Sequence, residues 1–120
     1  MTLTIEQVTT LVGAHRYGST AAKIGFLLTD SRSLCFPEET LFFALRSERN
    51  DGHNYIPELY RRGVSNFVVV DVPKDYERLY PRANFLKVVS PLKALQRLAG
   101  RHRDAFNVPV IGITGSNGKT

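Results

Sequence analysis

The sequence predicts an α/β protein: a small mixed or largely parallel sheet flanked by helices, leading at the C-terminal end into the first strand and glycine-rich loop of a further domain. Three observations carry this reading. Apolar runs of strand length alternate with helix signals along the chain. The runs at residues 41–45 and 66–70 are nearly all apolar, as strands covered on both faces should be. The last nine residues, 112–120, place Gly115, Gly118, Lys119 and Thr120 directly after another apolar run. That order suits a phosphate, which needs exposed backbone N–H groups, a helix N-terminus, a Lys for the outer phosphates and a hydroxyl for Mg²⁺.

The first helix is signalled at Thr4, which can cap it, with Gln7 placed to reach back as in a capping box. Ile5, Val8, Leu11 and Val12 form an apolar stripe at helical spacing, and Gly13 can end it. Residues 15–20 read as a loop with an exposed His15. Residues 25–30 read as the first strand, closed by Asp30-Ser31-Arg32, which taken alone is an ordinary turn. Arg32 also offers a planar fork suited to phosphate. The second strand, 41–45, is entered after Pro37. A loop over 46–53 follows, with Asn50-Asp51-Gly52 as its turn signal and His53 just beyond.

Residues 57–62 read as a short helix, with Pro57 in its first turn, Leu59 facing the core and Gly63 as its stop. The third strand is 66–70. The polar stretch 71–80 allows one helical turn, and 84–89 is the fourth strand. Ser90 and Pro91 open the strongest helix, a cap followed by a residue suited to the first helical position. Leu92, Leu95, Leu98, Ala99 and Phe106 are expected on its apolar face, with Lys93, Gln96, Arg97 and Arg103 solvated. Residues 108–113 form the fifth strand. The expected division is a first domain over 1–106 and the start of a second over 107–120, completed by sequence beyond Thr120.

Composition bounds the function. The 120 residues suffice for one modest core, and 42% hydrophobic with 22% charged content is that of a globular domain. No apolar run reaches the ~20 residues that span a bilayer. The N-terminus lacks the basic-then-apolar order of a signal peptide. The single cysteine, Cys35, has no internal disulfide partner, so a reducing cytoplasm is expected. Cys35 is read as a packing residue. The net charge of +5 suits an anionic ligand such as a diphosphate. Lys and Arg are spread thinly and form no recognisable nucleic-acid module, so nucleic-acid binding is set aside.

The spacing of the terminal loop narrows the chemistry. The common phosphate loop has its first Gly four residues before Gly-Lys, a place held here by Ile113. The run from Thr114 to Thr120, Thr-Gly-Ser-Asn-Gly-Lys-Thr, instead resembles the ATP loop of the Mur ligase and folylpolyglutamate synthetase superfamily at all seven positions of T-G-[ST]-N-G-K-[ST]. The middle of the chain is similar to the N-terminal domain of the MurE and MurF branches. The matching features are a strand before Asp30-Ser31-Arg32, then Leu41-Phe-Phe-Ala-Leu45, then Asp51-Gly52-His53 with Tyr55 and Ile56, then Gly63 before an apolar strand. Two positions depart from that pattern: Glu38 follows Pro37 where the family has Gly, and Ser47 stands where Gly is usual.

The resemblance implies an ATP-dependent, amide-forming ligase of peptidoglycan precursor synthesis. Thr29, Ser31 and Arg32 would meet the uracil or diphosphate of a UDP-N-acetylmuramoyl-peptide, and Glu48, Arg49 and Asn50 would lie beside the uridine. Asp51, Gly52 and His53 would shape that loop, with His53 read as a structural hydrogen-bonding residue ahead of a ligand contact. Gly115, Ser116, Asn117, Gly118, Lys119 and Thr120 would bind ATP, with Lys119 on the β- and γ-phosphates as the catalytic residue and Thr120 on Mg²⁺. A carboxylate phosphorylated by ATP would then be attacked by an amine. The opening of the chain looks most like the branch that adds D-alanyl-D-alanine, in the form fused to alanine racemase. The branch adding diaminopimelate or lysine is the alternative, as is a stand-alone UDP-sugar-binding module. The resemblance further implies a monomer, and these residues alone are expected to be inactive and to bind ATP weakly.

Overall fold

The structure, a computed structural model, describes residues 3–101. Phe106, the fifth strand and the terminal loop, including Lys119 and Thr120, lie outside the described residues, as does the boundary at residue 106.

In order, the elements are β1 (Leu3–Thr4), α1 (Ile5–Val12), β2 (His15–Tyr17), β3 (Lys23–Ile24), β4 (Phe26–Leu28), β5 (Thr40–Phe43), α2 (Ile56–Arg61), β6 (Asn66–Val69), α3 (Tyr76–Leu79), β7 (Asn84–Lys87) and α4 (Pro91–Arg101). A five-stranded sheet has the order β2-β7-β6-β5-β4. Its four strands from β4 to β7 are parallel, and β2 runs antiparallel to β7. β1 and β3 form a separate two-stranded ribbon. The expected α/β class and largely parallel sheet are therefore present.

Alternation along each parallel strand sends side chains to two cores. Leu27, Leu41, Phe43, Val68 and Leu86 join α1 and α4 on one face. Leu28, Phe42, Phe67, Val69 and Phe85 join Ile56 and Leu59 of α2 on the other. Phe42, Phe67 and Phe85 are register partners on adjacent strands. Their rings meet edge-on at 6.3 Å and stacked at 5.4 Å between centroids. All three are fully buried. A parallel sheet needs cover on both faces, and here helices from both halves of the chain supply it.

Local signals fix the helices. Thr4 and Gln7 complete the capping box around α1, and Gly13 ends it in the left-handed conformation at φ 66°. The Ser90 hydroxyl accepts the Lys93 amide at 3.2 Å and so caps α4. On α4 the buried face is Ala94, Leu95 and Leu98, while Leu92 is exposed. Ala94, rather than Leu92, shares a face with Leu95 and Leu98 once the helix docks on α1.

Two further expectations are corrected. Residues 15–17 are not loop but the antiparallel edge strand β2. Arg16 on this strand is tied to the core by polar contacts: its Nε and Nη2 donate to Asn84 Oδ1 at 3.3 and 3.1 Å, and Nη2 also donates to the Thr20 carbonyl at 2.9 Å. Asn84 Nδ2 donates in turn to Thr20 O at 2.8 Å and to Asn66 Oδ1 at 2.9 Å. Both asparagines are completely buried, so these bonds replace the water they lost. Cys35 is exposed rather than packed, because 3-10 turns at Ser31–Ser33 and Pro37–Glu39 carry the chain over the surface between β4 and β5.

Replacing Asn84 by Leu removes the shared partner of Arg16, Thr20 and Asn66. Urea unfolding should show a loss of about 2 kcal/mol or more despite the added apolar volume, because buried polar groups are left unpaired. A neutral effect would mean that the network contributes nothing net.

Candidate functional site

Parallel strands present their C-terminal ends on one side of a sheet, and ligands of open α/β folds bind in the crevice there. In this protein that side carries a cleft of about 580 Å³. Thr29 after β4 lines it, as do Leu45 to Ser47 after β5, Val70 after β6, and Val89 to Leu92 between β7 and α4. Asn50, Gly52 and Tyr55 complete the wall from the loop that follows β5. The lining pairs apolar surface from Leu45, Tyr55, Val70 and Leu92 with short polar groups from Thr29, Ser47, Asn50 and Ser90. Arg46 is the only charged side chain among the lining residues. Such a mixture suits a planar polar ligand held by a few directed hydrogen bonds. Another cleft, of about 410 Å³, lies beside Ser65 at the opposite ends of the strands, away from these loops.

The loop between β5 and α2 is built around Asp51. Its Oδ1 accepts the His53 amide at 3.0 Å and faces the His53 Nδ1 at 2.7 Å. Its Oδ2 accepts Arg46 Nε at 3.0 Å, while Arg46 Nη2 donates to Asp71 Oδ2 at 2.8 Å. His53 Nε2 accepts the Val70 amide at 3.1 Å and the Asp71 amide at 3.4 Å. Because Nε2 accepts, the ring proton sits on Nδ1 and is donated to Asp51. The turn itself is closed by Ser47 N to Asn50 O at 2.7 Å and by Gly52 N to Leu45 O at 2.7 Å. The Tyr55 hydroxyl donates to Asn50 Oδ1 at 3.2 Å.

Gly52 is required by contact. A Cβ there would lie 2.8 Å from Ala44 Cα and from Leu45 N, both backbone atoms. The Asn-Asp-Gly signal thus reports more than a turn: the glycine lets the loop lie flat on the end of β5.

Burial pushes the Asp51 carboxyl up. The His53 amide, the His53 ring and Arg46 together outweigh that and hold it below the usual carboxylate range. Arg46 holds Asp71 below that range as well. At Asp30 the Arg32 side chain, and then the Arg32 amide, have the same effect.

The expected ligand residues divide in place. Thr29 and Asn50 line the cleft. Ser31 sits in the 3-10 turn just outside it, where its carbonyl accepts Arg62 Nη1 at 3.1 Å. Arg32 has an 88% exposed side chain and grips Asp30 through Nη2 at 2.7 Å. Glu48 and Arg49 form the exposed tip of the loop. His53 has both ring nitrogens engaged by protein groups and does not line the cleft. Sequence reading missed Arg46, Tyr55 and Val70. Arg46 carried a usable signal, as the cation directly after the second strand, with Arg49 the other before the turn. No group of three or more His, Cys, Asp or Glu side chains able to hold a metal occurs among the described residues.

Sheet, cleft and loop define an α/β domain with a ligand-sized cleft at the C-terminal ends of its parallel strands. A family model described as "Mur ligase family, catalytic domain" matches residues 23–103, and the chain belongs to that family. A UDP-N-acetylmuramoyl-tripeptide–D-alanyl-D-alanine ligase of Synechocystis sp. is 38% identical over 98 residues, covering 82% of this chain and 20% of the relative. The enzyme of that name from Bacillus subtilis is 34% identical over 96 residues, covering 77% and 19%. A UDP-N-acetylmuramoyl-L-alanyl-D-glutamate–2,6-diaminopimelate ligase of Geobacter metallireducens is 40% identical over 105 residues, covering 86% and 19%. The crystal structure of MurF from Acinetobacter baumannii superposes with a TM-score of 0.67 at 23% identity, covering 87% of this chain and 22% of that one, which is a likeness of fold. The chain spans about a fifth of the length of these curated relatives. Their names lend no support to a fusion with alanine racemase.

Gly52→Ala should cost about 1–3 kcal/mol in denaturant unfolding, since backbone must move to admit the methyl group. Unchanged stability would refute the close approach. For pH, the folded Asp51 and Asp71 values lie below their unfolded ones. The stability they contribute is therefore full above the ordinary carboxylate range, near 4, and is lost as pH falls through the lowered folded values. Amide protection across residues 46–53, taken relative to intrinsic exchange at each pH, should fall on acidification ahead of protection in β6, and should do so less in Asp51→Asn.

Proposed function

We propose that this chain is the nucleotide-sugar-binding region, and the beginning of the ATP site, of an ATP-dependent ligase that adds D-alanyl-D-alanine to UDP-N-acetylmuramoyl-tripeptide. The observation that carries the reading is the cleft at the C-terminal ends of β4 to β7, walled by the Thr29 turn and the 46–52 loop, in a chain of the Mur ligase family. The relatives from Synechocystis and Bacillus subtilis bear that activity in their names. Thr29, Asn50 and Tyr55 would bracket the uracil, and Arg46 is the nearest cation for the diphosphate.

The ATP half rests on the seven-position pattern from Thr114 to Thr120. Lys119 would bind the β- and γ-phosphates, and Thr120 would hold Mg²⁺. The metal's contribution there is charge neutralisation on the phosphates. The terminal carboxylate of the peptide would become an acyl phosphate and then, on attack by the amine of D-alanyl-D-alanine, an amide. The whole protein would work in the cytoplasm, where its nucleotide substrates are, and as a monomer. No helix among the described residues is long and apolar enough to cross a membrane. Residues 1–120 alone would not turn over.

A second reading has its own support. The diaminopimelate-adding relative of Geobacter metallireducens is 40% identical over 105 residues, so the amine could be diaminopimelate on the preceding muramoyl-dipeptide. Supplying each amine with its matching UDP-muramoyl-peptide and following phosphate release separates the two.

The test of the main reading is titration of the full-length protein with UDP, followed by turnover with D-alanyl-D-alanine. Asn50→Ala should weaken UDP binding about tenfold, close to 1.4 kcal/mol. Arg32→Ala should weaken it less, because that side chain is held by Asp30 at the surface and is not among the lining residues. Lys119→Ala should lower kcat about 100-fold or more while leaving UDP affinity unchanged. No UDP binding by the wild type, or wild-type turnover by Lys119→Ala, would overturn the assignment.

A further inference from the structure

β6 ends its pairing with β5 early. Ala44 N donates to Val68 O, and beyond that point the chain after β5 turns away into the 46–52 loop. The next amide on the β5 side, Val70, would lack a strand partner there, and the Asp71 amide follows it just beyond β6. His53 supplies one. Its Nε2 accepts both amides, at 3.1 and 3.4 Å, while its Nδ1 faces Asp51 at 2.7 Å. The circuit then closes from Asp51 through Arg46 to the Asp71 side chain. The His53 side chain is only 13% exposed, so water does not readily replace these bonds.

We infer that His53 is a positioning residue for the cleft: its imidazole pins the 46–52 loop to the end of β6 and so sets the spacing between Asn50 and Tyr55 on one wall and Val70 on the other. The inference rests on the nucleotide-sugar reading of that cleft for its effect on substrate. The pin itself is a property of the free protein. His53 does not line the cleft of Thr29 and Asn50 but a smaller cavity beside Pro57 and Pro73, so it acts on that cleft through the loop, and its loss should affect the nucleotide-sugar and not the chemistry at the phosphate loop. Its two nitrogens do separable work. Nδ1 holds Asp51 within the loop, whereas Nε2 alone reaches the neighbouring strand.

That separation gives the test. In His53→Gln the side-chain carbonyl can take the place of Nε2 and accept the Val70 amide. In His53→Asn the shorter amide can satisfy Asp51 but does not reach the strand. In the full-length protein, His53→Asn should raise KM for the UDP-muramoyl-peptide about tenfold, with kcat and KM for ATP within about twofold of wild type. His53→Gln should recover most of that loss. A merely structural role would move thermal stability without sorting the two variants by KM. The ligand-free readout is amide exchange: Val70 should exchange about tenfold faster in His53→Asn and near the wild-type rate in His53→Gln. Equal behaviour of the two variants in exchange overturns the pin, whatever the ligand proves to be. If exchange sorts them but the wild type binds no UDP, the nucleotide reading fails and the pin stands. If exchange sorts them and UDP binds, yet KM does not change, the pin exists without positioning substrate and the inference is overturned.

Discussion

The structure depends on burying both faces of a short parallel sheet. The central strands contribute four residues each, and every residue of β5 and β6 is buried. Four residues cannot present an apolar face to each side unless nearly all are apolar, which is why these strands read as continuous runs. The row Phe42, Phe67 and Phe85 fills one side, and α2 with the tyrosines around α3 closes over it. The other side takes α1 and α4, which pack on each other as well as on the sheet. Cover on both faces forces the connections to leave from the strand ends. The cleft is the gap those departures leave on one side.

The walls of that gap are not held by the sheet. They are held by Asp51, which collects the loop's own amide, the His53 ring and Arg46, and through Arg46 reaches Asp71 just beyond β6. Each bond is partly exposed and modest alone. Together they form a closed circuit in which removing one member leaves the others short of partners, so the loop is held as a unit. Gly52 makes the circuit possible by letting the loop backbone touch that of Ala44 and Leu45.

What the sequence disclosed follows from how local each determinant is. The capping box of α1 spans four residues and was legible in full. So were Pro57 and Gly63 around α2, and Ser90 and Pro91 at α4. The four parallel strands were legible because their burial leaves an unbroken apolar record. β2 was not, since its stability rests on Asn84, 68 residues away, and an Arg and a His obscure an edge strand. Leu92 was misplaced for a related reason: its spacing from Leu95 and Leu98 fits a helical face, but the docking of α4 selects Ala94 instead. In the site, the turn at residues 50–52 was visible and its partners were not. Arg46 to Asp71 and His53 to Val70 join positions 25 and 17 residues apart, and nothing in either segment announces the other.

The charge pattern qualifies the expectation drawn from a net +5. A basic chain suggests free cations waiting for an anion, yet Arg46 on the cleft wall and Arg32 in the turn beyond Thr29 are already paired. Arg32 is gripped by Asp30 at the surface, and Arg46 is shared between two carboxylates at the cleft wall. Both guanidinium groups are made harder to deprotonate by those partners, chiefly Asp30 and Asp71 respectively. The circuit at the wall therefore carries one more carboxylate than guanidinium, with His53 neutral because its Nε2 accepts. An incoming diphosphate would meet a held cation outnumbered by its carboxylate partners, so attraction at a distance does not favour it there. Recognition then falls to shape and directed hydrogen bonds between the Thr29 turn and the 46–52 loop, and to how firmly that loop is fixed before the ligand arrives.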